Sequence, residues 1–292
     1  MLDFRVKTFL SVCKTLNFTK TAALLNITQP AVSQHIRYLE DYYKVKLFDY
    51  RGKKLVLTEE GNFLLNSLTT MSIDEHHLKD SLMAYQGHRT NLKFGVTLTV
   101  GEYIIPGPLG SLLKKEQPDY VSMKVSNTHD LLEDLNRGDI DFAIVEGYFP
   151  QSEYDYMKYS TEKYIAVCSS ESPFAKGKHE LEDLFSETAI IREEGSGTRE
   201  IMQRSLEECN YTVSDFANII EISNLNAIKK LVEMNCGVTF MYKAAVKEEL
   251  EQGTLQEISL KNFHVTHNIT FIWRKNSIFA EYYKKVFQLL KK

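Results

Sequence analysis

A chain of 292 residues is long enough for two or three compact units with cores of their own. Its 43% hydrophobic and 25% charged residues are ordinary for a soluble globular protein, and no run approaches the roughly 20 apolar residues of a membrane span. The formal net charge is −4, yet residues 1–57 hold 10 Lys and Arg against 4 Asp and Glu, a net of +6 that leaves −10 on the other 235 residues. A basic head on an acidic body fits nucleic-acid binding by one end only.

The first 18 residues mix charges with apolar positions at helical spacing, which reads as a core helix over about Leu2–Leu16 rather than a signal peptide. Phe18, Ala22 and Leu25 then recur at helical spacing until Asn26-Ile27 interrupts them. A second helix follows, with Thr28 placed to cap it, Pro30 tolerated in its first turn, and Val32, Ile36 and Leu39 along one buried side. Its other side offers Gln29, Ser33, Gln34 and Arg37, whose lengths and donor-acceptor chemistry reach base edges and phosphates. Two short helices joined by a tight turn, the second polar outside, predict a helix-turn-helix. Leu47-Phe48, the basic turn Arg51-Gly52-Lys53-Lys54 and Leu55-Val56-Leu57 predict a hairpin wing with cations at its tip.

From Thr58, a capping residue followed by Glu59 and Glu60, a long helix is expected. Leu64, Leu68, Met71, Glu75, Leu78, Leu82 and Tyr85 follow a heptad spacing of the kind that pairs helices between chains, interrupted by the charge of Glu75. His76 and His77 face different ways on it and read as surface residues, not metal ligands. Residues 86–91, polar and containing Gly87, mark a linker. Beyond it, strands and helices alternate to the end of the chain, which predicts parallel sheets with helices on both faces. Cys13, Cys168, Cys209 and Cys236 are scattered with no CxxC pair, which predicts buried thiols in a reducing cytoplasm.

In open α/β sheets, ligands sit beyond the carboxyl ends of strands. Four segments fall there: Thr97-Leu98-Thr99-Val100, Asn127-Thr128, Gly195-Ser196-Gly197-Thr198-Arg199 and Ser223-Asn224. The third is the most informative. Two glycines let backbone N–H groups converge at a helix start, Ser196 and Thr198 add hydroxyls, and Arg199 adds a charge suited to carboxylate, phosphate or sulfur oxyanions. Glu194 works against an anion unless it points away. The bland alternative is that any strand-to-helix turn favours Gly with Ser or Thr; Thr97, Thr99, Asn127 and Thr128 at other strand ends favour a site for one small polar ligand. For catalysis the sequence offers no nucleophile elbow, no HExxH, no P-loop lysine and no GxGxxG after the first strand. No enzyme, metal set or cofactor is expected.

The motifs Asn17-Phe18-Thr19, Ala22-Ala23, Thr28-Gln29-Pro30-Ala31-Val32-Ser33-Gln34, Leu39-Glu40, Leu47-Phe48 and Leu57-Thr58-Glu59-Glu60-Gly61 resemble, in order and spacing, the amino-terminal domain of LysR-type transcriptional regulators. The resemblance implies a winged helix-turn-helix over 1–58 that binds double-stranded promoter DNA through Thr28, Gln29, Pro30, Ser33, Gln34, Arg37, Arg51 and Lys53. A dimerising linker helix and hinge would span 59–90. A two-lobed α/β effector domain of the type 2 periplasmic-binding-protein kind would span 91–292, with lobe 1 at about 91–161 plus 268–292 and lobe 2 at about 162–267. Two crossing strands near 160–163 and 266–269 would join the lobes. Gly101-Glu102-Tyr103, Val145-Glu146-Gly147 and the Gly195–Arg199 segment are similar to the branch that regulates sulfur assimilation and carbon fixation, which implies a small anionic effector. The family also implies self-assembly to dimers and tetramers, RNA polymerase as a partner and a cytoplasmic, nucleoid-bound location. The competing readings, a solute-binding protein or an enzyme built on the two-lobed domain, leave the basic head unexplained.

Overall fold

The computed structural model describes residues 2–85, 91–118 and 120–291; residues 86–90 of the expected linker lie outside them. The described residues divide into two compact units, one of 2–85 with Asn136–Gly138 and Arg274–Ala280, the other of 91–135, 139–273 and 281–291.

The first unit opens with three helices, α1 (Phe4–Thr15), α2 (Phe18–Leu25) and α3 (Gln29–Tyr43). Each start is held by a short side chain: Asp3 accepts from the Arg5 N–H, Asn17 from Lys20 and Thr28 from Ala31 at 3.3 Å. Each ends on a left-handed residue, Leu16, Asn26 and Lys44, which closes the helix and turns the chain. Phe9, Val12, Val32, Ile36, Leu39 and Leu47 are buried together, each worth on the order of 1.5–3 kcal/mol of burial. The Glu40 carboxylate accepts from the Leu47 N–H at 2.9 Å and so ties α3 to the antiparallel hairpin of β1 (Phe48–Arg51) and β2 (Lys54–Leu57). Gly52 takes the left-handed conformation at the hairpin tip.

Helix α4 (Glu59–Tyr85) starts on Thr58, whose hydroxyl accepts from Gly61 at 2.9 Å. The expected heptad seam divides along it. Leu68 is buried and Leu64 half-buried in the core just described, whereas Met71, Leu78 and Leu82 are exposed; the side chain of Tyr85 lies outside the described residues. Glu75 does not lie idle in this seam, because its carboxylate accepts from the Leu2 N–H at 3.3 Å, a bond that lowers its pKa. Nor is His77 a plain surface residue: its ring meets Phe279 edge-on at 4.2 Å. Among the described residues no helix is long and apolar enough to cross a membrane.

The second unit is a curled mixed sheet with helices against it. In chain order it holds β3 (Asn91–Val96), a π-helical turn (Val100–Ile104), α5 (Pro106–Glu116), β4 (Tyr120–Val125), α6 (Thr128–Arg137) and β5 (Phe142–Val145). After these come β6 (Tyr154–Ser169), β7 (Thr188–Ile191), α7 (Gly197–Glu208), β8 (Asn218–Glu221) and α8 (Leu225–Glu233). The chain closes with β9 (Thr239–Tyr242), α9 (Lys247–Gln252), β10 (Leu255–Glu257), β11 (Val265–Arg274) and α10 (Ala280–Lys291). The main sheet runs β10-β6-β11-β5-β3-β4, with β9 also on β6, while β7 and β8 pair with each other. Parallel pairing, expected throughout, holds for β3 with β4, β3 with β5, and β7 with β8. The two long strands depart from it, since β11 is antiparallel to β5 and β6 is antiparallel to β9 and β10.

These long strands divide the unit into two lobes. On one, Leu131, Leu135, Ala143, Val145 and Ile272 form a core, and Phe142 stacks between Phe94 at 5.1 Å and Phe271 at 4.5 Å across three neighbouring strands. On the other, Ile165, Val167, Ile190, Leu225, Ile228 and Met241 form a second core. Of the cysteines, Cys13 and Cys168 are held as un-ionised thiols by burial, Cys13 with its pKa near 12. The expectation of buried thiols is corrected: Cys168 is fully buried, but Cys13 and Cys209 are half-buried, and Cys236, in the turn after α8, is exposed.

Gly61 lies in the first turn of α4, where a Cβ would come within 2.1 Å of the Leu47 carbonyl oxygen. Gly61→Ala is therefore expected to destabilise the first unit by about 1–3 kcal/mol, seen as loss of helical circular dichroism at lower urea. An unchanged midpoint would show that α4 does not seat on Leu47.

Candidate functional site

Two places gather the polar residues singled out in the sequence. In the first unit, α3 and the hairpin flank an open groove of about 860 Å³ lined by Gln29, Pro30, Ser33, Gln34, Arg37, Lys46 and Tyr50 among others. Thr28, Gln29, Pro30, Gln34 and Arg37 are exposed, as are Arg51 and Lys53 at the hairpin tip. Gln29 donates to the Ser33 hydroxyl at 2.9 Å, a same-face i, i+4 pair that presents both groups outward. Beneath them Val32, Ile36 and Leu39 are buried. The core stripe therefore fixes which side of α3 the polar groups occupy.

In the second unit, the carboxyl ends of β3 and β5 on one lobe meet the start of α7 on the other. Glu146 follows β5 and is buried, and its Oε1 accepts the Thr198 hydroxyl at 2.7 Å. Gly147 comes next: a Cβ there would fall 2.4 Å from the Thr128 Oγ1, and a Cβ on Gly197 would fall 2.8 Å from the Gly147 nitrogen. Gly197 thus lets the start of α7 approach the Gly147 backbone, while Gly147 makes room for Thr128 of its own lobe. Thr97 sits alongside, its N–H bonded to the Ile144 carbonyl at 3.2 Å. Thr97, Thr99, Thr128, Ser196 and Thr198 are all buried. Gly195 is left-handed at φ +82°, and a Cβ on it would lie 3.9 Å from the Asn127 Nδ2; Asn127 caps the start of α6 by accepting from Asp130 at 2.8 Å.

This gathering draws in all the predicted segments but one. Val100 is buried and Leu98 packs on the core of the opposite lobe, so both serve packing. Asn224 caps α8 by accepting from Ala227, and Ser223 beside it is exposed. Arg199 is turned toward β8, where its guanidinium binds the Glu221 carboxylate and donates to the Arg192 carbonyl at 3.1 Å. Glu194 is exposed and lies at the edge of this group. The buried cation beside the cleft is instead Arg192, which grips Glu193 through Nε and Nη2, each at 2.8 Å.

Glu146 and Arg192 are the residues that sequence reasoning did not place in the site. The available signal was a carboxylate set directly between an apolar strand and a glycine, in Val145-Glu146-Gly147. Burial pushes the Glu146 carboxyl above the ordinary glutamate value; the hydrogen bond from Thr198, the neighbouring Thr99 hydroxyl and the Arg192 charge oppose the rise. Burial, with Glu146 nearby, also holds the Tyr164 phenol well above its usual range, and its hydroxyl faces the Thr198 carbonyl at 2.9 Å. Two aromatic contacts close the flanks. Arg204 of α7 lies 3.5 Å over the Tyr148 ring, and Tyr103 of the π-helical turn donates to Asn226 at 3.2 Å with Lys229 at 4.8 Å from its ring.

With this geometry in hand, comparison with known proteins places the chain. The model of the LysR substrate binding domain matches residues 85–292, and that of the bacterial regulatory helix-turn-helix protein of the lysR family matches residues 5–62. The chain belongs to the LysR family of transcriptional regulators, with a helix-turn-helix for DNA and a two-lobed domain for a small-molecule effector. It is 26% identical over 280 residues to a probable RuBisCO transcriptional regulator of Thalassiosira pseudonana, spanning 94% of this chain and 91% of that one. It is 26% identical over 270 residues to the HTH-type transcriptional regulator CysL of Bacillus subtilis (strain 168), spanning 91% and 89%. Among solved structures, the regulatory domain of CcmR from Synechocystis PCC6803, in complex with 2-PG, shares the fold with a TM-score of 0.61 at 20% identity, covering 69% of this chain and 95% of that one.

The raised Glu146 pKa has a testable sign. A fold that favours the neutral acid is fully stabilised below the unfolded pKa and loses that contribution as pH rises through the folded one. Glu146→Gln, always neutral, is expected to melt above wild type at alkaline pH, with the gap closing on acidification. A variant that melts below wild type at alkaline pH would contradict the assignment.

Proposed function

We propose that this regulator responds to a small anion held between the two lobes, and that it binds promoter DNA as a dimer that assembles further into tetramers. The observation that carries the anion reading is the set of buried hydroxyls at the lobe junction, with Thr97 Oγ1, Thr128 Oγ1 and Ser196 Oγ lacking a hydrogen-bond partner among the described residues. Thr128 opens α6 and Ser196 precedes α7, so two helix starts, whose dipoles favour negative charge, converge with them. Arg192 adds a buried N–H, its Nη1, that is likewise unpartnered. Binding of 2-PG by the CcmR domain supports a small ligand in this fold.

At the other end, Gln29, Ser33, Gln34 and Arg37 read the major groove or its phosphates, Thr28 supports the start of that helix, and Pro30 presses on a thymine methyl. Arg51 and Lys53 grip phosphate at the wing. The exposed Met71, Leu78 and Leu82 of α4 pair with the same helix of a second copy, which spaces two recognition helices for successive half-sites. The effector alters the closure of the lobes, and through it the pairing of dimers, DNA bending and the access of RNA polymerase on the nucleoid. It does so only by binding one arrangement more tightly than another.

Calorimetric titration with sulfite, sulfate and phosphoenolpyruvate tests the anion reading. At least one is expected to saturate wild type and to bind about tenfold or more weaker to Thr198→Val, a loss of about 1.4 kcal/mol or more. Absence of saturable binding by any of them, with arginine or a neutral sugar binding instead, would end it.

A further inference from the structure

Among the unpartnered groups at the lobe junction, one differs in kind. Thr97, Thr128 and Ser196 present hydroxyls that can donate, as does the Arg192 Nη1. Glu146 Oε2 is also buried and unpartnered, and an ionised carboxylate can only accept. Its other oxygen is committed to Thr198 at 2.7 Å. An anion entering this cluster satisfies the hydroxyls with its oxygens but meets Glu146 with like charge, unless a proton lies between them. Ligand oxygen and carboxylate oxygen then share a charge-assisted hydrogen bond.

Gly147 and Gly197 leave Glu146 little room to swing aside, since a Cβ on Gly197 would sit 2.9 Å from the Glu146 Cγ. The carboxylate is therefore a fixed part of the cleft wall. We infer that Glu146, once ionised, is a specificity residue that admits an anion carrying its own O–H donor, a protonated oxyanion or a hydroxy acid, and rejects anions that have no proton to give; as the neutral acid it supplies the shared proton itself. This deepens the anion reading and rests on it. A site built around a hydrogen bond rejects the analogue that lacks the matching group far more strongly than an apolar pocket rejects a missing methylene, because its own buried polar atom is left unpaired.

The test uses matched pairs on the full-length protein by calorimetry, at mildly alkaline pH, which favours ionised Glu146, and at constant ionic strength. Inorganic phosphate keeps a proton there and sulfate does not; glycolate has a hydroxyl and acetate lacks it. Phosphate or glycolate is expected to bind about tenfold or more tightly than its partner, and which pair discriminates tells a tetrahedral oxyanion from a hydroxy acid. In Glu146→Gln the amide can donate as well as accept, so sulfate is expected to approach phosphate within about threefold. Sulfate binding wild type as well as phosphate, together with acetate binding as well as glycolate, would overturn the inference with the anion reading intact. Discrimination unchanged in Glu146→Gln would overturn the role of this residue. Failure of all four anions to bind either protein would overturn both.

Discussion

The close approach of Gly147 to Gly197 is the constraint on which the effector domain depends. With no Cβ on Gly197, the start of α7 meets the Gly147 backbone after β5 at close range. Only at that distance can the Thr198 hydroxyl reach Glu146. Thr97, Thr128, Ser196 and Arg192 are buried beside this contact. Desolvation then makes each of these groups matter, because a buried polar atom costs free energy until something satisfies it. A ligand that completes the set has a strong reason to bind, and one that matches only part of it has a reason to be refused.

The two long strands make such a junction compatible with movement. β6 and β11 connect the lobes and lie side by side in the sheet, and Thr161 donates to Asn268 at 2.9 Å between them. Each lobe has its own apolar core on either side of these strands, so a change in closure can leave both cores intact. The flanking Arg204–Tyr148 and Tyr103–Asn226 contacts join residues of opposite lobes at the surface, where pairing is weak and reversible compared with the cores.

Much of this was legible before any coordinates. The amino-terminal helices, their caps at Thr28 and Thr58 and the hairpin follow from local rules, in which a short polar side chain, a proline or a glycine acts within a few residues. The Thr97, Asn127, Thr128 and Gly195–Thr198 segments could be marked because ligand sites in α/β sheets lie at strand ends. What could not be read were long-range choices of partner. Arg199 sits beside Thr198 in sequence, yet its guanidinium goes to Glu221 on β8 and the buried cation is Arg192. Glu146, far from α7 in sequence, carries the hydrogen bond that spans the lobes. The antiparallel course of β6 and β11 is likewise tertiary, since a strand that passes between lobes takes its direction from the sheet it enters. The seam on α4 looked continuous because a heptad pattern does not say which of its members an intramolecular core will take; Leu68 was taken and Met71 was not.

On the function proposed above, a ligand in the carboxy-terminal cleft changes how the amino-terminal helices hold DNA. The most direct measurement is the affinity of the full-length protein for labelled promoter DNA from beside its own gene, by fluorescence anisotropy at fixed salt, with and without a saturating concentration of an anion shown to bind. Thermodynamic linkage predicts a shift of about 5-fold or more, with the anion's own affinity changing by the same factor when DNA is present. Identical DNA affinity and an identical protected footprint with the anion bound would contradict the account.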